Sequence, residues 1–213
     1  MRLLKLFLGS SIGKKQLVAL TGLMLIGFLM AHLSGNLLML KAPELFDEYA
    51  EFLTHHPLLI PAEIALAAIF LGHIILGLTV TVENFLARPE RYAVNASAGG
   101  RTLGSSTMAY TGLLTLVFLG IHVFTLKLQL PEGASLFAWV IEHFRIPVYM
   151  GFYVLAMVSL GVHLSHGVRS ALQTFGVDHP TYTPVIEKVT LAFAVVLAAG
   201  FGALPLWGFF RGG

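Results

Sequence analysis

Four histidines carry the chemistry this sequence has to offer. His32, His73, His122 and His163 each stand inside a run of apolar residues long enough to cross a bilayer. An imidazole in hydrocarbon is costly and is a functional candidate by default, although one such residue alone is as readily a buried hydrogen-bonding group. Four on successive apolar runs, separated by 41, 49 and again 41 residues, are hard to explain by packing. The chain has no cysteine. That removes disulfides, thiolate-bound iron–sulfur clusters and covalent haem attachment, and leaves histidine or carboxylate as the ligands for any tightly held metal.

Depth sorts the four. Counted at about 1.5 Å per residue, His32 lies 9 residues before Lys41 and His122 lies 9 before Pro131, roughly 13 Å from one surface in each case. His73 lies 16 residues after Pro57 and His163 lies 18 after Arg145, roughly 24 and 27 Å from that same surface. His32 therefore groups with His122 and His73 with His163. Two imidazoles facing each other at one level of a helix bundle are what a six-coordinate haem needs, so two bis-histidine haems are expected. Gly35 with Asn36, Gly77 and Gly167, one turn from three of these histidines, leave room for a macrocycle edge, as small residues also do at ordinary membrane helix contacts. His166, three residues past His163, is an alternative ligand and otherwise a polar group at the haem edge. Arg169, one turn further, is either a propionate partner or a topology-setting arginine. His55, His56, His143 and His179 fall in loops and read as solvated surface.

The elements that must position these residues follow from composition. Of 213 residues 56% are hydrophobic and 11% charged, and the mean hydropathy is +0.82, the balance of an integral membrane protein. Spans are predicted at about 16–40, 58–86, 106–128, 147–172 and 185–210. The expected architecture is a single all-α membrane domain over residues 1–213, with five transmembrane helices of which the first four form a dihaem four-helix bundle. The fifth carries no histidine. Arg2, Lys5, Lys14, Lys15, Arg88, Arg91, Arg101, Arg169 and Lys188 fall on one side, against Lys41, Lys127, Arg145 and Arg211 on the other, which places the N-terminus inside. With a net charge of +2, these basic residues read as topology signals rather than a nucleic-acid surface. Lys14 and Lys15 interrupt the first apolar run and no cleavage site follows the second, so a retained start is expected, with Leu3–Leu8 as an interfacial segment. The acidic stretch KAPELFDEYAEFLTHHP predicts a short amphipathic helix outside, whereas ASLFAWVIEHFR is too short to cross.

The segments SSIGKKQLVALTGLMLIGFLMAHLSGNLLML, ARPERY, STMAYTGLLTLVFLGIHVFTL and GVHLSHGVRSALQTFGVDHPTYTP together resemble the cytochrome b subunit of the succinate dehydrogenase and fumarate reductase family, in its five-helix, two-haem form. The resemblance runs over nearly the whole chain. It implies two haem b groups with ligands paired first helix to third and second to fourth. It also implies flavoprotein and iron–sulfur subunits docked on the cytoplasmic face, dicarboxylate chemistry on those partners, electron transfer to or from a membrane quinone such as menaquinone, and residence in a bacterial inner membrane. A haem near the outer surface has no evident use unless a quinone site lies beyond it, so Asp47, Glu48 and Tyr49 in the outer loop are the quinone candidates. Some relatives carry a glutamate two residues before the fourth-helix ligand. Here that position is Gly161, which puts a proton route along that helix in doubt. Two other readings are a b-type cytochrome of a different quinone enzyme and a transporter with histidine proton relays. The spans hold no two histidines about four turns apart on one helix, which the first commonly shows, and almost none of the further buried charge and no discontinuous helices arranged as a repeat, which the second would need.

Overall fold

A computed structural model of the chain describes residues 9–87 and 102–211. The predicted interfacial segment 3–8, together with Arg2, Lys5, Arg88, Pro89, Arg91 and Arg101, lies outside them. The described residues form helices α1 (Ser11–Asn36), α2 (Leu38–Lys41), α3 (Pro43–Thr54) and α4 (Leu59–Leu86). These are followed by α5 (Leu103–Val123) with a π-helical turn (Phe124–Leu128), then α6 (Leu136–Phe144), α7 (Pro147–Thr174) and α8 (Thr183–Phe210). No strand occurs among them. Five stretches are long and apolar enough to cross a membrane: α1 with α2, α4, α5 with its π-helical turn, α7, and α8. The protein is an all-α integral membrane protein. In hydrocarbon the backbone must satisfy itself, and a continuous helix does so within one segment.

The helix ends are built by side chains with the right chemistry. Ser10 accepts from the Gly13 amide at 2.9 Å, and Thr102 and Ser105 cap each other reciprocally at the start of α5. Pro147 and Pro184 sit in the first turns of α7 and α8, where a missing N–H costs nothing. The short helices α3 and α6 cover one end of the bundle, called the upper end below. They are joined there by Asp47, which accepts from the Ser135 hydroxyl at 2.6 Å and from the Phe137 amide at 2.8 Å.

Helix α7 is the structural centre. It packs along α8, α5 and α1, while α4 packs along α1. Tyr153, Ala156, Met157, Leu160 and Leu164 of α7 are buried with Ala194, Leu197, Phe201 and Leu204 of α8. The closest approach is at Gly161, where an added Cβ would lie 2.7 Å from the Cβ of Ala198. The position at which some relatives carry glutamate is thus a packing contact with the fifth membrane helix. Helices α1 and α5 make no extended backbone contact with each other, nor do α4 and α7. These are the two helix pairs that carry the facing histidines.

Replacing Gly161 with valine is expected to force α7 and α8 apart and to cost about 1–3 kcal/mol, as overpacking does. Gly151→Ala, where nothing lies within 4 Å, should be neutral or gain up to about 1 kcal/mol of helix propensity. Thermal unfolding of the two variants in mild detergent checks the contrast.

Candidate functional site

The upper pair lies toward α3 and α6. The His32 and His122 ring centroids are 5.8 Å apart with planes at 90°. Each ring is steadied by a phenylalanine four residues earlier on its own helix: Phe28 stacks on His32 at 5.2 Å, and Phe118 lies 5.4 Å from His122. Phe201 of α8 closes on His32 from the other side at 5.9 Å. The Nδ1 atom of His122 lies 3.2 Å from the hydroxyl of buried Tyr153, which is 2.7 Å from the hydroxyl of Tyr149. Directly after His122 the helix widens into the π-helical turn, a distortion common near functional sites. Its Thr125 carbonyl accepts from Trp139 Nε1 at 3.0 Å.

The lower pair is held differently. The His73 and His163 centroids are 6.5 Å apart with planes at 75°. Nδ1 of His73 is 3.1 Å from the Thr21 hydroxyl of α1, and Nδ1 of His163 is 3.3 Å from the Thr111 hydroxyl of α5. The residue after each threonine is a glycine. A Cβ on Gly22 would lie 3.2 Å from Cε1 of His73, and one on Gly112 would lie 3.3 Å from Cε1 of His163.

Both pairs fit a bis-histidine haem. A metal-to-imidazole bond is about 2 Å and a ring centroid lies about 1 Å behind its nitrogen, so two axial imidazoles on one metal stand roughly 6 Å apart by centroid. The observed 5.8 and 6.5 Å bracket that separation. No hydrogen bond joins the partners within either pair among the described residues, so mutual bonding does not explain their approach. No group of three or more His, Cys, Asp or Glu side chains converges among those residues either. A haem iron takes its equatorial ligands from the macrocycle and asks the protein for two only.

The remaining predicted residues spread out. Arg169 Nη2 pairs with Glu187 of α8 at 2.6 Å, while its buried Nε has no hydrogen-bond partner among the described residues. An anionic group such as a propionate suits that donor. His166 is half-buried and packs against Gly104 at the start of α5, and the ring facing His73 is that of His163. Both carboxylate oxygens of Asp47 are engaged at the start of α6. Glu48 is exposed and lines a shallow depression with Glu51, His55 and His56. Tyr49 packs against Gly35, where a Cβ would lie 2.5 Å from its ring. Gly35 thus admits a tyrosine. Nothing lies within 4 Å of Gly77, and Gly167 meets only Met108 at 3.7 Å. The glycines against the lower histidine rings are Gly22 and Gly112, not the glycines one turn from the histidines.

A signal for them was available. The pattern A-x-T-G-L-x4-F-L-x2-H at residues 19–32 recurs at 109–122, and H-x3-G at 73–77 recurs at 163–167, all at an offset of 90. The threonines, the glycines, the stacking phenylalanines and all four histidines obey one internal repeat. The structure gives Thr21 and Thr111, Gly22 and Gly112, and Phe28 and Phe118 equivalent contacts with a histidine.

Fold and site together define a multi-pass membrane protein of five helices whose four intramembrane histidines meet in pairs at two depths. The chain is 24% identical over 186 residues, 86% of its own length and 88% of the other's, to a succinate dehydrogenase cytochrome b558 subunit of Bacillus subtilis (strain 168). The family resemblance in the sequence is thereby borne out by a named homologue. No protein-family model matches the chain. No solved structure matches it.

Asp47→Ala, by removing both bonds to the start of α6, is expected to lower stability by about 1 kcal/mol, the usual cost of losing a capping side chain. Thermal unfolding in detergent, with limited proteolysis of the 42–58 and 129–146 segments, checks it.

Proposed function

We propose that the chain is the membrane-anchor dihaem cytochrome b subunit of a succinate:quinone oxidoreductase. The observation that carries this reading is the meeting of four intramembrane histidines as two pairs, at ring separations of 5.8 and 6.5 Å that suit one iron each. The named homologue, similar over most of both chains, supports the same assignment. When bound, the two haem b groups would supply one-electron carriers at two depths between an iron–sulfur subunit and a membrane quinone, with menaquinone the expected species.

Within this reading His32 and His122 hold the outer haem and His73 and His163 the inner one. Phe28 and Phe118 fix the outer rings, and Arg169, with His166 beside it, offers a donor for an inner-haem propionate. The lower end, which carries Lys14, Lys15, Arg169 and Lys188, is the cytoplasmic face of a bacterial inner membrane. It is where flavoprotein and iron–sulfur subunits would dock and carry the dicarboxylate chemistry. The upper end, covered by α3 and α6, is the outer face. Exposed Glu48 is placed there to hydrogen-bond a quinone head, Tyr49 would do so from its packing against Gly35, and Asp47 would contribute only by giving up its bonds to α6.

Haem extraction from the purified complex should yield two non-covalent haems per chain, both low-spin. The paired rings stand at 90° and 75°, and histidines held at such angles would leave the d-orbitals of a bound iron nearly degenerate. The ferric resonance should therefore be of the strongly anisotropic low-spin type. His32→Ala or His122→Ala should remove or convert one haem, and His73→Ala or His163→Ala the other. A colourless protein, or one haem unaffected by all four substitutions, would sink the assignment.

A further inference from the structure

The lower histidines share a device that the upper ones lack. Thr21 Oγ1 is 2.7 Å from the Leu17 carbonyl and 3.1 Å from that of Val18, so its single proton is spent on its own helix. Thr111 Oγ1 repeats this with the carbonyls of Thr107 and Met108, both at 3.1 Å. With that proton engaged, each hydroxyl is placed to accept from the neighbouring Nδ1–H, the tautomer that leaves Nε2 as the free lone pair on each ring, and the backbone of Val18 and of Met108 offers His73 and His163 a further acceptor. The following glycine, Gly22 or Gly112, lets the ring come close enough for this, since a Cβ there would stand 3.2 or 3.3 Å from Cε1. Two copies of one geometry, 90 residues apart in the chain, are independent occurrences of the same arrangement. The upper pair has no equivalent: His122 meets a phenol, and His32 has ring contacts alone.

We infer that Thr21 and Thr111 are positioning residues that fix the tautomer and ring orientation of the two lower histidines and set the redox poise of the haem they hold. This rests on the proposed function above. A hydrogen bond accepted from the far nitrogen of an axial imidazole makes the ligand more electron-rich and favours the ferric state. Losing it should raise the reduction potential of that haem and leave the other haem unchanged.

The test uses the whole complex in its membrane. Thr21→Val and Thr111→Val keep the branched shape and remove the hydroxyl, Thr21→Ser and Thr111→Ser keep the hydroxyl, and His73→Ala identifies which optical and resonance signals belong to the lower haem. In a potentiometric titration the double valine variant is expected to shift the lower haem about tenfold toward the ferrous state. For one electron that corresponds to a rise of about 59 mV. The resonance of that haem should change shape, and the double serine variant should restore both. Selective loss of the lower haem in the valine variant, restored by serine, supports the inference equally. If the valine variant keeps the potential and resonance of the lower haem, or if serine behaves like valine, the positioning role is refuted. If His73→Ala removes no haem signal, the dihaem assignment itself fails, which is a separate result.

Discussion

An imidazole buried in hydrocarbon must find a partner for both ring nitrogens, and the bundle is arranged around that demand four times over. A polar group left unpaired at such depth costs several kcal/mol. Three of the four histidines place Nδ1 against a hydroxyl from another helix or from a buried tyrosine. Within each pair the rings then approach without bonding each other. The helices follow from this: α1 supplies Thr21 to His73 on α4, and α5 supplies Thr111 to His163 on α7. Both of those helix pairs pack along each other, while the pairs whose histidines face each other do not.

The repeat explains the pairing and also shows where the halves diverge. Position 63 in the first half corresponds to 153 in the second. Tyr153 turns inward to His122, whereas Glu63 turns to Lys127 at the upper end of α5. At the lower end Lys14 of α1 pairs with Glu83 of α4, which closes the first half, and Arg169 of α7 pairs instead with Glu187 of α8. The fifth membrane helix is the source of this asymmetry. It covers α7 along its length and reaches α1, where a Cβ on Gly200 would lie 2.8 Å from Leu33 Cδ2. Helix α4 consequently has no buried residue, while α7 has seven.

What could be read from the sequence was what depends on length and depth. Apolar runs of membrane-spanning length announce themselves, and residue counts from their ends group His32 with His122 and His73 with His163. Contacts between runs could not be read one run at a time. Thr21 looked like any helical threonine until compared with Thr111, 90 residues later. Asp47 looked like a free loop carboxylate because nothing in its own segment says that the start of α6 comes to rest on it. Gly161 read as the absence of a glutamate, when its physical meaning is the presence of Ala198. The π-helical turn after His122 had no sequence marker at all.

The choices around the lower pair run against stability, and they run together. Gly22 and Gly112 each give up about 1 kcal/mol of helix propensity relative to alanine, and they do so where an alanine methyl would press on a histidine ring. Arg169 keeps a buried Nε–H without a partner among the described residues, a group whose desolvation costs about 1–3 kcal/mol when unmet. Helix propensity alone would favour alanine at the first two positions, and burial alone a neutral side chain at the third. Sites that break local rules in concert, while the α7–α8 core obeys them, are where a protein has been shaped for something other than its own folding. Here two of the three exceptions lie against the rings of His73 and His163, and the third follows His163 by six residues on the same helix.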